Sequence, residues 1–290
     1  MILRPPRRDE AEAVLAVIVA RDVADIGRAD YTLQDVRSDW ELPGVELDRD
    51  VFVVEDDDGS LIGWADVDER CARVSVHPDQ EGRGVGTLLR EATEARLRER
   101  GQPVRQNVVS ANTAAIEHLR AAGYEPIQSY QRMRAALADV PPPPDAPVRR
   151  FHLETEGAAV HELIAAAFGE IEANAAQSFA SWHAEAAAGS KPAFRLALDD
   201  EQGLVAAALG ERWENGVGYV AQLAVASRAR GRGHGRTLLI ALLNAFRDAG
   251  LTTAELSVAG TNVSATGLYE SAGMKPDFRA ERWQLGGTAR

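Results

Sequence analysis

The chain has 290 residues, 45% hydrophobic and 26% charged, with a formal net charge of −12; the length accommodates two ordinary domains, and the composition is globular and not that of a disordered chain. Up to Pro147 there are 18 basic and 28 acidic residues, and after it 14 and 16, so the halves carry −10 and −2. Such a surface repels a polyanion, which argues against nucleic acid as the main partner, and the single cysteine, Cys71, excludes an intramolecular disulfide and a multi-cysteine metal site.

In chain order, MILRPPRRDEAEAV carries charge but no apolar core of signal-peptide length, and no later stretch approaches the length of a membrane span. A cytoplasmic protein with no membrane partner is expected. A short strand near Ile2–Arg4 leads to an amphipathic helix over 9–20. The acidic segment 22–40 reads as irregular helix, either a solvated face or the border of a pocket for a cationic amine. Strands follow at 51–55, 61–67 and 72–76, the first ending in the turn DDDG. That turn is too short for the twelve-residue loop of an EF-hand, so a solvated hairpin is expected and no metal site. A helix over 86–100 stops at Gly101, a strand spans 103–109, and a further helix and a final strand pair complete the half.

The run VPPPPDAPV, 140–148, reads as a stiff polyproline spacer. Beyond it the order repeats: a strand near Val148–Phe151, a helix over 156–168, strands at 193–198, 204–211 and 218–225, a helix over 235–249 ended by Gly250, and a strand at 253–258. Two motifs repeat with it. SVHPDQEGRGVGTLL (75–89) matches AVASRARGRGHGRTLL (224–239), pairing Gly84 with Gly233 and Gly86 with Gly235 at an offset of 149. NTAAIEHLRAAGY (112–124) matches NVSATGLYESAGM (262–274), pairing Asn112 with Asn262 and Gly123 with Gly273 at an offset of 150. The expected organisation is an α/β tandem duplication with mixed sheets: 1–139, a Pro-rich linker at 140–147, and 148–290.

The glycine-rich stretch lies between an apolar strand and a helix. Glycines let the backbone approach a ligand, and the first amides of a helix lack intrahelical acceptors, so the junction suits anionic oxygens, above all a pyrophosphate. It is not a P-loop, since no Lys–Ser/Thr pair follows. Nor is it GxGxxG, since Gly231, Gly233 and Gly235 fall at every second position.

Arg230-Gly-Arg-Gly233-His-Gly235 resembles motif A, [QR]-x-x-G-x-[GA], of the GNAT superfamily of acyl-CoA-dependent N-acetyltransferases, and Asn262, Tyr269 and Gly273 meet a second family pattern, N-x(6)-Y-x(3)-G. Through the repeat, the resemblance covers nearly the whole chain, as two tandem GNAT domains. It implies acetyl-CoA as cosubstrate in a cleft where two parallel strands splay. Its pyrophosphate would lie on amides of Gly231, Arg232, Gly233, His234, Gly235 and Arg236, beside Arg230, and its pantetheine along Leu223, Ala224 and Val225. It also implies a small-molecule amine attacking the thioester directly, with the Val225 N–H as oxyanion donor and Tyr269 as general acid. Asn262 would hold the cofactor or cap its helix. Many relatives carry an acidic base on the strand before motif A; here Gln222 stands there. Glu214 is named as base, with Glu211, Glu170, Glu172 and Glu255 as alternatives.

The first copy departs from the pattern. Glu81 replaces the motif arginine and would repel a pyrophosphate, and Leu119, matching Tyr269, cannot give a proton. Gly82, Gly84, Gly86 and Asn112 remain as a vestigial cofactor site. The expected reading is an acetyl-CoA-dependent N-acetyltransferase working in its C-terminal half, as monomer or homodimer; the alternative is a non-catalytic acetyl-CoA-binding sensor or scaffold.

Overall fold

The strands and helices follow from two periodicities, alternation along the strands and apolar stripes along the helices. A computed structural model describes residues 1–42, 44–143, 145–169, 178–187, 194–213 and 215–286. Its first half contains β1 (Ile2–Arg4), α1 (Ala11–Ile26), α2 (Leu33–Trp40), α3 (Leu47–Asp50), β2 (Val51–Glu55), β3 (Leu61–Val67), β4 (Ala72–Val76), α4 (Val85–Glu99), β5 (Arg105–Val109), α5 (Thr113–Ala121) and β6 (Tyr124–Ala136). Its second half contains β7 (Arg149–Arg150), α6 (Leu153–Gly169), α7 (Phe179–Ala187), β8 (Phe194–Asp200), β9 (Gly203–Arg212), β10 (Val217–Val225), α8 (His234–Asp248), β11 (Thr253–Ala259), α9 (Val263–Ser271) and β12 (Lys275–Leu285). The first helix runs past residue 20 because its stop is Gly27, left-handed at φ 78°, whose N–H reaches back to Val23 O. The expected final strand pair of each half is one long strand, β6 or β12.

Two compact units are formed, residues 1–130 with 278–290, and residues 131–277. They do not follow the expected division at 139 and 148. In the first unit the sheet order is β1-β2-β3-β4-β5-β12, and in the second β7-β8-β9-β10-β11-β6. Each unit thus takes its last strand from the other repeat. In the first, β12 runs antiparallel to β5 from Ala280↔Val109 to Gln284↔Arg105. In the second, alternate residues along β6 and the short turn beyond it, Met133, Ala135 and Leu137, join the core, and the Leu137 N–H donates to Thr252 O at 2.9 Å. The expected linker 140–147 accordingly lies within the second unit: Val140 is buried in its core, and Asn244 Nδ2 donates to Pro141 O at 2.9 Å.

Helices cover both faces of each sheet. Along β9, Ala206 and Ala208 face the core under α8, while Ala207 and Leu209 face α6 and α7. Helix α8 buries Leu238, Leu239, Leu242, Leu243 and Phe246 completely, each about 1.5–3 kcal/mol relative to exposure. A Cβ on Gly218 would lie 2.3 Å from the Phe246 ring, and one on Gly210 2.5 Å from it, so the missing side chains let the ring rest on the strand backbones. That contact fixes the height of α8 over β10. In the first unit Gly63 plays a similar part beneath Val85 and Leu89 of α4.

Candidate active site

In the second unit the parallel strands β10 and β11 are paired only from Val217↔Thr253 to Tyr219↔Glu255. Past that point a bulge between Val220 and Gln222 re-aims β10, which stays paired with β9 as far as Val225↔Ala206. A cleft opens between β10 and β11 with its apex at Tyr219. Ala226 donates its N–H to Val205 O at 2.8 Å. Neighbouring amides of an antiparallel strand face opposite edges, so the N–H groups of Val225 and Leu223 face the open side.

The chain then makes one 3-10 turn, Ser227–Ala229, and enters α8 through Gly231 and Gly233, left-handed at φ 77° and 85°. Gly233 is the N-cap, with no side chain covering the first amides of the helix. A Cβ on Gly235 would meet Leu268 at 3.3 Å and Val225 at 3.4 Å, so α8 starts hard against β10 and against the helix of the second motif. Arg230, Arg232 and Arg236 are exposed around this turn; Arg230 Nε donates to Val225 O at 3.4 Å and Arg236 Nη2 to Ser271 O at 3.5 Å. His234 is half-buried as the first residue of α8.

Asn262 caps α9, its Oδ1 accepting the Ala265 N–H at 3.1 Å. Further along the same helix, Tyr269 packs on the second-unit core. Burial, with a smaller contribution from Tyr219, pushes its phenol up to about 12, so it holds its proton at neutral pH.

At the apex the Trp213 and Tyr219 rings stack with centroids 4.4 Å apart. The Arg132 guanidinium lies 5.5 and 5.4 Å from the two centroids. Glu255, buried opposite Tyr219, is 3.5 Å from both Arg132 Nη1 and Arg134 Nε. Glu211, opposite Tyr219 on β9, accepts the Trp213 indole N–H at 3.4 Å. Gln222 Oε1 accepts the Trp182 indole N–H at 2.8 Å, which gives the residue in the expected base position an anchoring role. Glu214, Glu170 and Glu172 lie outside the described residues. Sequence reasoning missed Arg132, Arg134, Trp182, Trp213 and Tyr219, which share no motif. The alternation within β6 marks it as a strand, but only its exchange between units aims its arginines at Glu255.

The first unit repeats the backbone and changes the side chains. Its parallel pair β4–β5 is in register only at Ala72↔Gln106 and Arg73↔Asn107. Gly82 and Gly84 are left-handed at φ 75° and 87°, Gly84 caps α4, and Asn112 caps α5. A cavity of about 510 Å³ lies there, with Gly82, Gly84, Gly86 and Asn112 in its lining. Glu81 is ion-paired with Arg21, which also binds Asp25 at 2.7 Å, and Asn112 Nδ2 donates to Asp25 at 3.3 Å. The repulsion expected from Glu81 is thereby offset within the protein. Leu119, in the place of Tyr269, is core, packed with Tyr124 and Trp283. Arg73, which matches Gln222 at the repeat offset of 149 and closes the parallel pair, is tied to Asp66, to Asp39 at 2.7 Å and to the Tyr31 hydroxyl at 2.9 Å. Asp39 and Tyr31, from the acidic segment 22–40, thus serve to hold an arginine.

Two models, one described as the acetyltransferase (GNAT) family and one as an acetyltransferase (GNAT) domain, match residues 158–274 and 48–126. The chain belongs to the GNAT family and is a tandem GNAT N-acetyltransferase. It is 30% identical to the mycothiol acetyltransferase of Nocardiopsis dassonvillei, over 92% of this chain and 90% of that one, and 28% identical to that of Saccharopolyspora erythraea, over 83% and 85%. Among solved structures, a GCN5-related N-acetyltransferase from Sphaerobacter thermophilus superposes with a TM-score of 0.86 at 26% identity, over 99% of this chain and 96% of that one. A tandem GNAT protein from the clavulanic acid biosynthesis pathway shares the fold, with a TM-score of 0.77 at 19% identity over 99% of both chains. Among the described residues, no helix is long and apolar enough to cross a membrane.

Proposed function

We propose that the second unit transfers an acetyl group from acetyl-CoA to a primary amine of a small molecule, and that the first unit does not turn over. What supports this reading is one stretch of backbone, the outward N–H groups of Leu223 and Val225 leading into the uncovered amides that begin α8, with α9, which carries the protonated Tyr269, packed against Gly235 through Leu268.

The residues fit the cosubstrate by their chemistry. Amides of 231–236 would take the pyrophosphate, helped by the helix dipole and the exposed Arg230, Arg232 and Arg236. Leu223, Ala224 and Val225 would offer a free strand edge to the pantetheine amides. Acetyl-CoA supplies the activated acyl group. The amine nitrogen forms the new bond to the carbonyl carbon as the carbon–sulfur bond breaks. The Val225 N–H stabilises the oxyanion and Tyr269 donates its proton to the departing thiolate. The attacking nitrogen sheds its proton to a carboxylate, for which Glu211 and Glu214 are the candidates. Asn262 acts as a helix cap that sets the pitch of the Tyr269 helix. The names of the relatives, mycothiol acetyltransferases, support a small-molecule acceptor.

The test is release of free CoA from acetyl-CoA with glucosamine, spermidine, cysteine methyl ester and alanyl-alanine as acceptors. Turnover with at least one amine, lost on disruption of the second glycine loop and kept on disruption of the first, is the expected result. Saturable acetyl-CoA binding with no CoA release from any amine would overturn it in favour of a sensor, a reading the altered first-unit cleft favours.

A further inference from the structure

We propose that Arg132 and Arg134, encoded in the first repeat, are positioning residues of the second unit's acceptor site, so that the transferase site is assembled from both halves of the sequence. This rests on the transferase reading above.

The second unit begins at Gln131, and β6 is the neighbour of β11 within it. In a strand, residues two apart share a face, so Arg132 and Arg134 are delivered together. Both reach Glu255 at 3.5 Å. Glu255 is 2% exposed, and a carboxylate so buried stays ionised only beside compensating cations. The arginines are also needed for shape. Arg132 is almost equidistant from the centroids of the Trp213 and Tyr219 rings, which places it against the pair as a unit. A guanidinium held by ring faces and by a carboxylate has little rotational freedom left.

This block stands at the apex of the cleft. The phosphate-binding turn lies at the far end of β10, beyond Val225, and the last paired residue before the splay is Tyr219. A thioester laid along Leu223–Val225 from that turn points its reactive end toward the apex. An acceptor whose amine reaches that carbonyl from the apex side lies along β10, with its remaining groups toward the surface that Arg132, Tyr219 and Trp213 build. Tyr219 also lies close enough to Tyr269 to raise the phenol's proton affinity, which ties this surface to the acid. The exchange is reciprocal: Arg282 of β12 enters the first unit, where its Nε donates to Asn107 Oδ1 at 3.0 Å and its guanidinium lies 5.3 Å from the Tyr130 ring centroid. There the equivalent apex holds the Arg73 cluster and no tyrosine acid follows.

The test compares Arg132→Met, Arg132→Met with Glu255→Gln, and Arg282→Met. The acceptor is whichever of glucosamine, spermidine, cysteine methyl ester and alanyl-alanine turns over fastest in the unaltered enzyme; acetyl-CoA binding is followed by calorimetry. Arg132→Met is expected to raise the acceptor KM at least tenfold, with the acetyl-CoA Kd within twofold of the parent. The double variant, which removes the buried Glu255 together with Arg132 and leaves only the part-exposed Arg134, 37% exposed, without its carboxylate, is expected to regain any lost thermal stability while keeping the high acceptor KM. Arg282→Met is expected to leave that KM unchanged. An unchanged acceptor KM in both Arg132 variants, or a parallel loss of acetyl-CoA affinity, would overturn the assignment. An unaltered enzyme that binds acetyl-CoA and releases no CoA would instead overturn the transferase reading itself.

Discussion

The two units carry the same left-handed glycines, the same asparagine caps and the same short parallel pairing that gives way to a splay, yet three side-chain positions separate them. Where the second unit has Arg230, Gln222 and Tyr269, the first has Glu81, Arg73 and Leu119. In the first unit each substitute is satisfied internally: Glu81 by Arg21, Arg73 by Asp66, Asp39 and Tyr31, and Leu119 by the core. In the second, the arginines of the turn stay exposed and the Tyr269 phenol, packed on the core, keeps its proton. A duplicated backbone can therefore keep the geometry of a site while its side chains turn inward. The backbone features serve the fold as well as any ligand, so they are kept where Leu119 stands in place of a tyrosine.

The sharpest break in the comparison is at the phenol. Tyr269→Phe is expected to lower kcat by about a hundredfold or more, read as CoA release, with little change in melting temperature. Leu119→Ala, at the equivalent place, is expected to cost about 2–5 kcal/mol of stability and leave kcat per folded molecule unchanged. A loss of kcat in the Leu119 variant equal to that of Tyr269→Phe would place chemistry in the first unit.

The glycine loops offer a smaller, paired contrast. Gly233 and Gly84 sit at φ 85° and 87° with no atom within 4 Å of a built Cβ, so valine at either is expected to cost only backbone strain, about 1–3 kcal/mol. Gly233→Val is expected to raise the KM for acetyl-CoA severalfold, and Gly84→Val to leave it alone. Steady-state kinetics at matched folded fraction distinguish the two.

The smallest effect separates the units by pH. Burial raises the Asp22 carboxyl in the first unit to about 6, against 3.8 for the free side chain. The folded protein binds the proton more tightly than the unfolded chain, so this group's stabilising contribution is full below about pH 4. It is lost as pH rises from about 4 to about 6. Asp22→Asn keeps an oxygen for the Asp30 N–H, which Asp22 accepts at 3.0 Å, and is expected to raise the melting temperature at pH 7 but not at pH 4. An equal change at both pH values would remove the explanation.

What could be read without a structure was local. The N-cap glycines, the stops at Gly101 and Gly250 and the strand–turn–helix around 217–248 depend on a few consecutive dihedrals and on apolar stripes, so the residues themselves carry the signal. The repeat showed that this arrangement occurs twice, and Glu81 and Leu119 marked one copy as altered. The chain could not disclose which unit each final strand joins. The alternation of Met133, Ala135 and Leu137 calls for a buried face but names no partner, and the prolines at 141–143 read as a boundary although Val140 and Pro141 belong to the second unit. The exchange of β6 and β12, and with it the meeting of Arg132, Arg134 and Glu255, was decided only by tertiary pairing. Sheet partners are chosen by hydrogen bonding and burial between segments far apart in the chain, and neither leaves a trace in the spacing of nearby residues.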